Sequence, residues 1–268
     1  MIQILRRDTG ALLKEVPTEN LQNARLAHAV LLYADLPGAN LAGADLRGAD
    51  LCSANLEGAC LDGADLRGAD LSASSLRGAS LIGARITDGR LLGADFTGAV
   101  LQGADLTRAS FKLARAGEPG ANFQNARLRR AGFDHTSFPG SDFSGADMAE
   151  ANLSGAGFAG ANLVGASLNG AMLEGTDLSG AFLAHADLTH AVLHRTELTG
   201  ARLGDATFGR TVIAACPTLA LGLGLEAASH LAQSSIDVAT LAIILHQLPA
   251  EFIDGLGITQ ALLQLAAR

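Results

Sequence analysis

Asp45, Asp65 and Asp105 stand twenty and forty residues apart, and a second group, His185, His190 and His194, is followed by Asp205 twenty residues after the first histidine. Carboxylates act as general acid and base when a cleft sets two of them against a substrate and keeps water out. Histidines with a carboxylate can ligate a metal when three or four of them converge. Neither grouping brings enough partners together in sequence. The histidine group reads as a surface His–Asp pair and two separate outward side chains. The cysteines, Cys52, Cys60 and Cys216, are odd in number and lack the spacing of a metal site or a disulfide framework. They read as reduced thiols of a cytoplasmic protein. The run from Gly222 to Leu225 lacks the spacing of a phosphate-binding loop. No catalytic residue, no cofactor and no metal site are expected.

What positions these side chains is a repeat. Across residues 39–71 every fifth residue is Leu: Leu41, Leu46, Leu51, Leu56, Leu61, Leu66 and Leu71. Two places before each stands Ala, one place before usually Asp or Asn, and two places after usually Gly. The register begins at Leu21 and runs in fives to Phe111, then resumes at Phe123 and runs to Ile213. The residue two before each centre stays small throughout. A fixed short period is the signature of a solenoid. A step of five fits neither the 3.6 of a helix nor the 2 of a strand, but it fits a chain that turns a corner every five residues. The central Leu or Phe points inward with the small residue beside it. The other three positions face water, and Gly takes the corner. The interior is filled by side chains and leaves no pore.

This A(D/N)LxG pattern, over about residues 20–213, resembles the pentapeptide-repeat family. The resemblance implies an all-β solenoid: a right-handed quadrilateral parallel β-helix with twenty residues in each four-sided coil. Family members include proteins that protect DNA gyrase from inhibitors, and most members are not enzymes. The resemblance therefore implies either a structural or protein–protein interaction scaffold for an unknown protein partner, or a DNA mimic that binds gyrase or another topoisomerase and confers resistance to its inhibitors.

Three divisions are expected. Residues 1–20 carry two short apolar runs around Arg7-Asp8-Thr9-Gly10, a β-hairpin that would cap the open end of the coil. Residues 21–213 form the β-helix. From Phe111 to Phe123 the step is twelve, ten plus two, with Gly117-Glu118-Pro119-Gly120 in between. That insertion reads as a corner bulge, with a small binding loop as the alternative. Phe111 and Phe133 should then stack on one interior face. Residues 214–268 lose the repeat and read as a helical cap. Ser235 would cap a helix over residues 236–248, Pro249 would start a second, and residues 258–265 would form a third apolar helical stretch. Part of this segment also resembles the stretch after the repeat in larger multidomain members; no effector domain is expected after it here.

Charge separates the two functional readings. The chain carries −8, which argues against direct binding to nucleic acid. Residues 21–120 hold 9 basic and 11 acidic groups and residues 121–213 hold 6 and 9, a net of −5 for the coil. In a twenty-residue coil Asp45, Asp65 and Asp105 share one column with Arg25 and Arg85, so they read as local ion pairs on a solvated face rather than as an acidic stripe. The alternative is a candidate interaction surface at Asp45, Asp65 and Asp105. A second candidate is a homodimer through the C-terminal apolar stripe that includes Ile244, Phe252 and Leu262. The start is no secretory signal and no apolar run is long enough to span a membrane, so no membrane partner is expected.

Overall fold

The structure is a computed structural model and describes residues 1–258. The chain opens with β1 (Ile2–Leu5) and β2 (Leu12–Val16), an antiparallel hairpin. Gly10, at φ 68°, closes its turn by donating to the Arg6 carbonyl at 2.7 Å. The hairpin lies on the first coil: the Asp35 N–H donates to Leu5 O at 2.9 Å, and the Arg7 N–H to Tyr33 O at 3.0 Å.

From Arg25 onward the chain is a ladder of single parallel bridges. They recur every five residues and join positions twenty apart, as in Arg25↔Asp45, Val30↔Asp50, Asp35↔Asn55 and Asn40↔Cys60. One coil therefore takes twenty residues and carries four bridging positions. In the unit centred on Leu41, the Leu41 N–H donates to Cys60 O in the next coil at 2.7 Å and the Gly43 N–H to Asp62 O at 2.9 Å. The Ala44 N–H turns back to Leu41 O at 3.0 Å, and the Asp45 N–H reaches the preceding coil at Ala24 O, 2.9 Å. Leu41, Leu46, Leu51 and Leu56, with Ala44, Ala49, Ala54 and Ala59 beside them, are buried. Where the small residue is hydroxylic it still fits, because the hydroxyl donates to a carbonyl: Ser74 to Leu71 at 2.7 Å, Thr176 to Leu153 and Thr196 to Leu173 at 2.8 Å.

The corner residue sits in the left-handed region, as at Gly43 (φ 66°). Non-glycine residues also occupy it, among them His28 at φ 58° and His135 at φ 57°. Each histidine ring then lies over the glycine one coil on: a Cβ on Gly48 would come within 2.7 Å of His28 Nδ1, and one on Gly155 within 2.6 Å of His135 Nδ1.

The insertion stretches one coil and no more. The bridge step is 20 at Asp95↔Arg115, 22 from Val100↔Asn122 to Arg115↔Ser137, and 20 again at Asn122↔Asp142. Phe111 and Phe133 stack, as the register requires, with centroids 4.4 Å apart and planes within 7°. The extra residues are tied down: the Gly117 N–H donates to Thr97 Oγ1 at 2.8 Å and the Gly98 N–H to Pro119 O at 2.8 Å.

Beyond Ile213 the chain keeps coiling, which the loss of period does not announce. β3 (Val192–His194), β4 (Thr207–Phe208) and β5 (Val212–Ala214) belong to the last regular turns. Two later strands extend the ladder: β4 pairs with β6 (Ser229–His230) and β5 with β7 (Ser235–Ile236), both parallel. The step now widens, to 21 at Arg202↔Leu223, 22 at Thr207↔Ser229 and 23 at Val212↔Ser235. Two short 3-10 turns, Pro217–Leu221 and Leu225–Ala227, take up the added length. The helices come after: α1 (Val238–Ile244), a 3-10 turn at Leu245–Gln247, and α2 (Ala250–Gly255). Ser235 is thus a strand residue and not the helix cap. The cap is Asp237, which accepts from the Thr240 N–H at 2.9 Å while its other oxygen accepts from the Ala215 N–H at 2.8 Å. The helical stretch expected at 258–265 lies outside the described residues apart from Ile258.

Candidate interaction surface

Outward side chains come from the positions just before and just after the buried centre, and from the corner position two after it where that is not Gly. The coil's own bonding satisfies every backbone N–H of a unit except that of the residue after the centre. Where the side chain before the centre is Asp or Asn, it accepts this last one. Asp50 Oδ1 takes the Cys52 N–H at 3.0 Å, Asp70 Oδ1 the Ser72 N–H at 2.9 Å, and Asn122 Oδ1 the Gln124 N–H at 2.9 Å. Asp142, Asp177 and Asp187 do the same for Ser144, Ser179 and Thr189. Asn serves as well as Asp because the need is an acceptor, not a charge. Most of the acidic positions of the repeat are therefore explained by the backbone they hold.

The aspartates expected in one column are in one column: Arg25↔Asp45, Asp45↔Asp65, Asp65↔Arg85, Arg85↔Asp105 and Asp105↔Arg127 are successive bridges. They are not free acids. Asp45 takes both a 2.8 Å and a 2.7 Å bond from Arg47. Asp65 takes 2.7 and 2.6 Å bonds from Arg67. Asp105 accepts from the Thr107 hydroxyl at 2.7 Å and faces Arg127 at 3.9 Å. The Arg47 hydrogen bonds hold the Asp45 carboxyl down at about 2, and those of Arg67 hold Asp65 below its usual value. The neutralising arginines lie two residues on in sequence, within the same unit, a pairing visible as D-L-R once both positions are known to point outward. Charge on neighbouring coils is paired too, by Arg108 with Asp88 at 2.6 Å and Arg130 with Glu150 at 2.7 Å.

His185 and Asp205 meet at 3.9 Å on the surface, and His194 lies 3.2 Å from Glu174. Among the described residues no cluster of three or more metal-ligating side chains forms. The three cysteines are free.

The C-terminal apolar stripe is a correction. Ile244 is 1% exposed and Phe252 is fully buried; with Leu241, Leu248 and Leu256 they pack onto the end of the coil. The widened last coil offers them a wider floor than a regular one, which is why they turn inward. Leu262 lies outside the described residues. Exposed in the same region are Leu231, Val238 and Ile243.

One apolar feature of the surface was not anticipated. Met172, Val192 and Val212 are successive members of a single outward column, at a position elsewhere held mostly by Asp, Asn, Ser or Arg. All three are exposed. With Ser154, Glu174, His194 and Ala214 they line a shallow trough of about 290 Å³. The signal lay in the sequence, as three apolar residues twenty apart in the slot before the centre. At the other end a hollow of about 410 Å³ lies between Lys14–Thr18 and Asn23–Arg25.

A family model for pentapeptide repeats matches in overlapping stretches, 20–58, 53–88, 74–112, 119–155, 146–183 and 173–210. The chain belongs to the pentapeptide-repeat family. The matches break between 112 and 119, where the insertion widens one coil. Among solved pentapeptide-repeat structures, the chain is similar to HetL, a protein involved in heterocyst differentiation regulation from Nostoc sp. strain PCC 7120. Identity is 29%, over 79% of this chain and 91% of that one, with a TM-score of 0.36. It is also similar to QnrB1, a plasmid-mediated fluoroquinolone resistance protein, at 20% identity over 76% of this chain and 97% of that one, with a TM-score of 0.62. A pentapeptide-repeat protein of the Arabidopsis thaliana thylakoid lumen shares 28% identity over 37% of this chain and 65% of that one, at a TM-score of 0.31. The curated proteins contain no match. No helix among the described residues is long and apolar enough to cross a membrane.

Proposed function

We propose that this protein is a non-enzymatic, cytoplasmic scaffold, a right-handed four-sided coil whose outer columns dock a protein partner. The observation that carries this reading is the exposed Met172–Val192–Val212 column. Most outward positions before a centre are filled by small polar or charged side chains. These three positions forgo them and leave an apolar trough beside the Glu174–His194 pair. Exposed apolar surface on an otherwise polar face is the mark of a docking site. The partner that fits presents an aliphatic side chain to the trough and a hydrogen-bonding group to its rim. Free cysteines suit a reducing compartment. Capture of a partner from the native host by wild-type protein and by Asp45→Asn, but not by Val192→Asp, supports the scaffold. Equal capture by all three overturns this placement of the site.

A second reading, a DNA mimic acting on a topoisomerase, has the fold it shares with QnrB1 in its favour. Its charge speaks against it. Duplex DNA offers about one charge per 1.7 Å, whereas Asp45 and Asp65 here are held by arginines of their own units. We expect no protection of gyrase supercoiling against a fluoroquinolone at micromolar protein; dose-dependent protection lost on Asp45→Lys would reverse the order of the two readings. A homodimer through the C-terminal segment would rest on Leu231, Val238 and Ile243 among the described residues. Light scattering on the full chain tests it, and a monomer excludes it.

A further inference from the structure

The second C-terminal helix, α2, is seated on an imidazole. His230, in β6, lies between Phe208 of β4 at 5.5 Å and Phe252 of α2 at 4.8 Å, centroid to centroid. The two phenylalanines meet edge to face at 5.2 Å. Gly255 of α2 packs so closely on the ring that a Cβ there would collide with His230. Both ring nitrogens are buried and neither has a hydrogen-bond partner. A neutral imidazole accepts this site as an aromatic spacer at the cost of one unpaired N–H. An imidazolium would bury a charge and two unpaired N–H groups.

The charged groups on the surrounding elements do not relieve that cost. They are Glu226 beside β6, Glu251 and Asp254 on α2, and Arg210 after β4, and all four are exposed. Among the described residues the histidines in ion-pair reach of a carboxylate are His185 and His194, not His230. Burial accordingly pushes the His230 imidazole below its ordinary 6.5.

We propose that His230 is a proton-operated latch: neutral, it holds α2 against the last coil; protonated, it releases α2 and uncovers Phe252, Phe208 and the coil end. The sign is set by which form the docked state rejects. The docked state has the lower pKa, so docking is at full strength above pH 6.5 and weakens as pH falls from 6.5 toward the docked value. Between those limits the docking equilibrium falls by up to about tenfold per pH unit.

Hydrogen exchange of the full chain, corrected for the intrinsic pH dependence, tests this at the Phe252–Leu256 amides. In the wild type their protection should fall between pH 6.5 and 5.5, by at most about fivefold, with the amides of the coil around Leu61 unchanged. In His230→Phe, which keeps the ring and loses the proton, protection should be flat. A wild type with constant protection from pH 7.5 to 5.0, or a His230→Phe chain that loses it equally, overturns the latch. If His230→Phe fails to seat α2 at any pH, the imidazole resonances of the wild type decide. Titration below 6.5 together with loss of α2 protection supports the proposal; titration at or above 6.5 with α2 still protected overturns it.

Discussion

The coils centred on Leu41 to Leu91 and those centred on Phe96 to Phe158 share one backbone and fill it differently. In the first the centres are Leu, with Ile86, and all are buried. In the second, seven phenylalanines, Phe96, Phe111, Phe123, Phe133, Phe138, Phe143 and Phe158, form one continuous aromatic cluster. The cluster sits where the insertion falls. Ala116 is the centre of the widened coil on the side where Phe96 lies one coil before and Phe138 one coil after. Two coil steps should part those rings by about 9.6 Å, yet their centroids are 6.1 Å apart. The rings lean into the space a leucine would occupy. A solenoid can thus accept a defect in one unit when neighbouring layers supply the missing volume.

Measurements on single substitutions break or sharpen this contrast. Phe138→Ala should show the largest effect, about 3–5 kcal/mol in urea denaturation, because it empties two layers at once. Leu66→Ala should cost less; an equal or larger loss at Leu66 would mean that the phenylalanines act layer by layer. Ala116→Leu, which restores the consensus, should destabilise by about 1–3 kcal/mol through overpacking, and any gain in stability would refute the shared-volume account. Asp95→Ala comes next at about 1–3 kcal/mol. Asp95 is only 9% exposed and accepts from the Thr97 N–H and hydroxyl and from Arg115. Burial pushes its carboxyl up, but those bonds outweigh burial and leave it below 3.8. Asp70→Asn in the leucine region keeps the acceptor for Ser72 and should lie within about 0.5 kcal/mol of wild type.

The smallest effect is the acid response of the Asp45–Arg47 pair. The Asp45 carboxyl is lowered in the folded state to about 2, so its contribution is complete above 3.8 and is lost as pH falls from 3.8 toward 2. The pair is half exposed on the arginine side, and the stabilisation is small and screened by salt. Comparing wild type with Asp45→Asn in acid titrations at low and high salt should show a difference only at low salt.

The coil was legible because packing imposes it residue by residue: the inward Leu, the small Ala beside it and the left-handed corner each leave a mark at a fixed step. The purpose of the Asp or Asn before each centre was not. Nothing in the letters shows that the coil leaves one N–H over, so an acceptor such as Asp105, which takes the Thr107 N–H, looked like a surface charge. The last coil hid for a related reason: its step grows from one bridge to the next, and a pattern without a constant period cannot be read as a repeat. Ser235 consequently passed for a helix cap, though it continues the ladder from Val212. Ile244 and Phe252 looked like a surface stripe because the floor that covers them has no signature.

The widening of that last turn, from 20 to 23 residues, also governs assembly beyond one molecule. A stack of parallel rungs about 4.8 Å apart is the repeat of a cross-β fibre, and an open rung of matching outline would template another chain. At one end the hairpin pairs across the first coil in the antiparallel sense, at Arg6↔Ala34. At the other the outline grows out of register with any twenty-residue rung, and α1 and α2 lie over it. Among the described residues, neither end presents a regular twenty-residue rung with a free parallel edge.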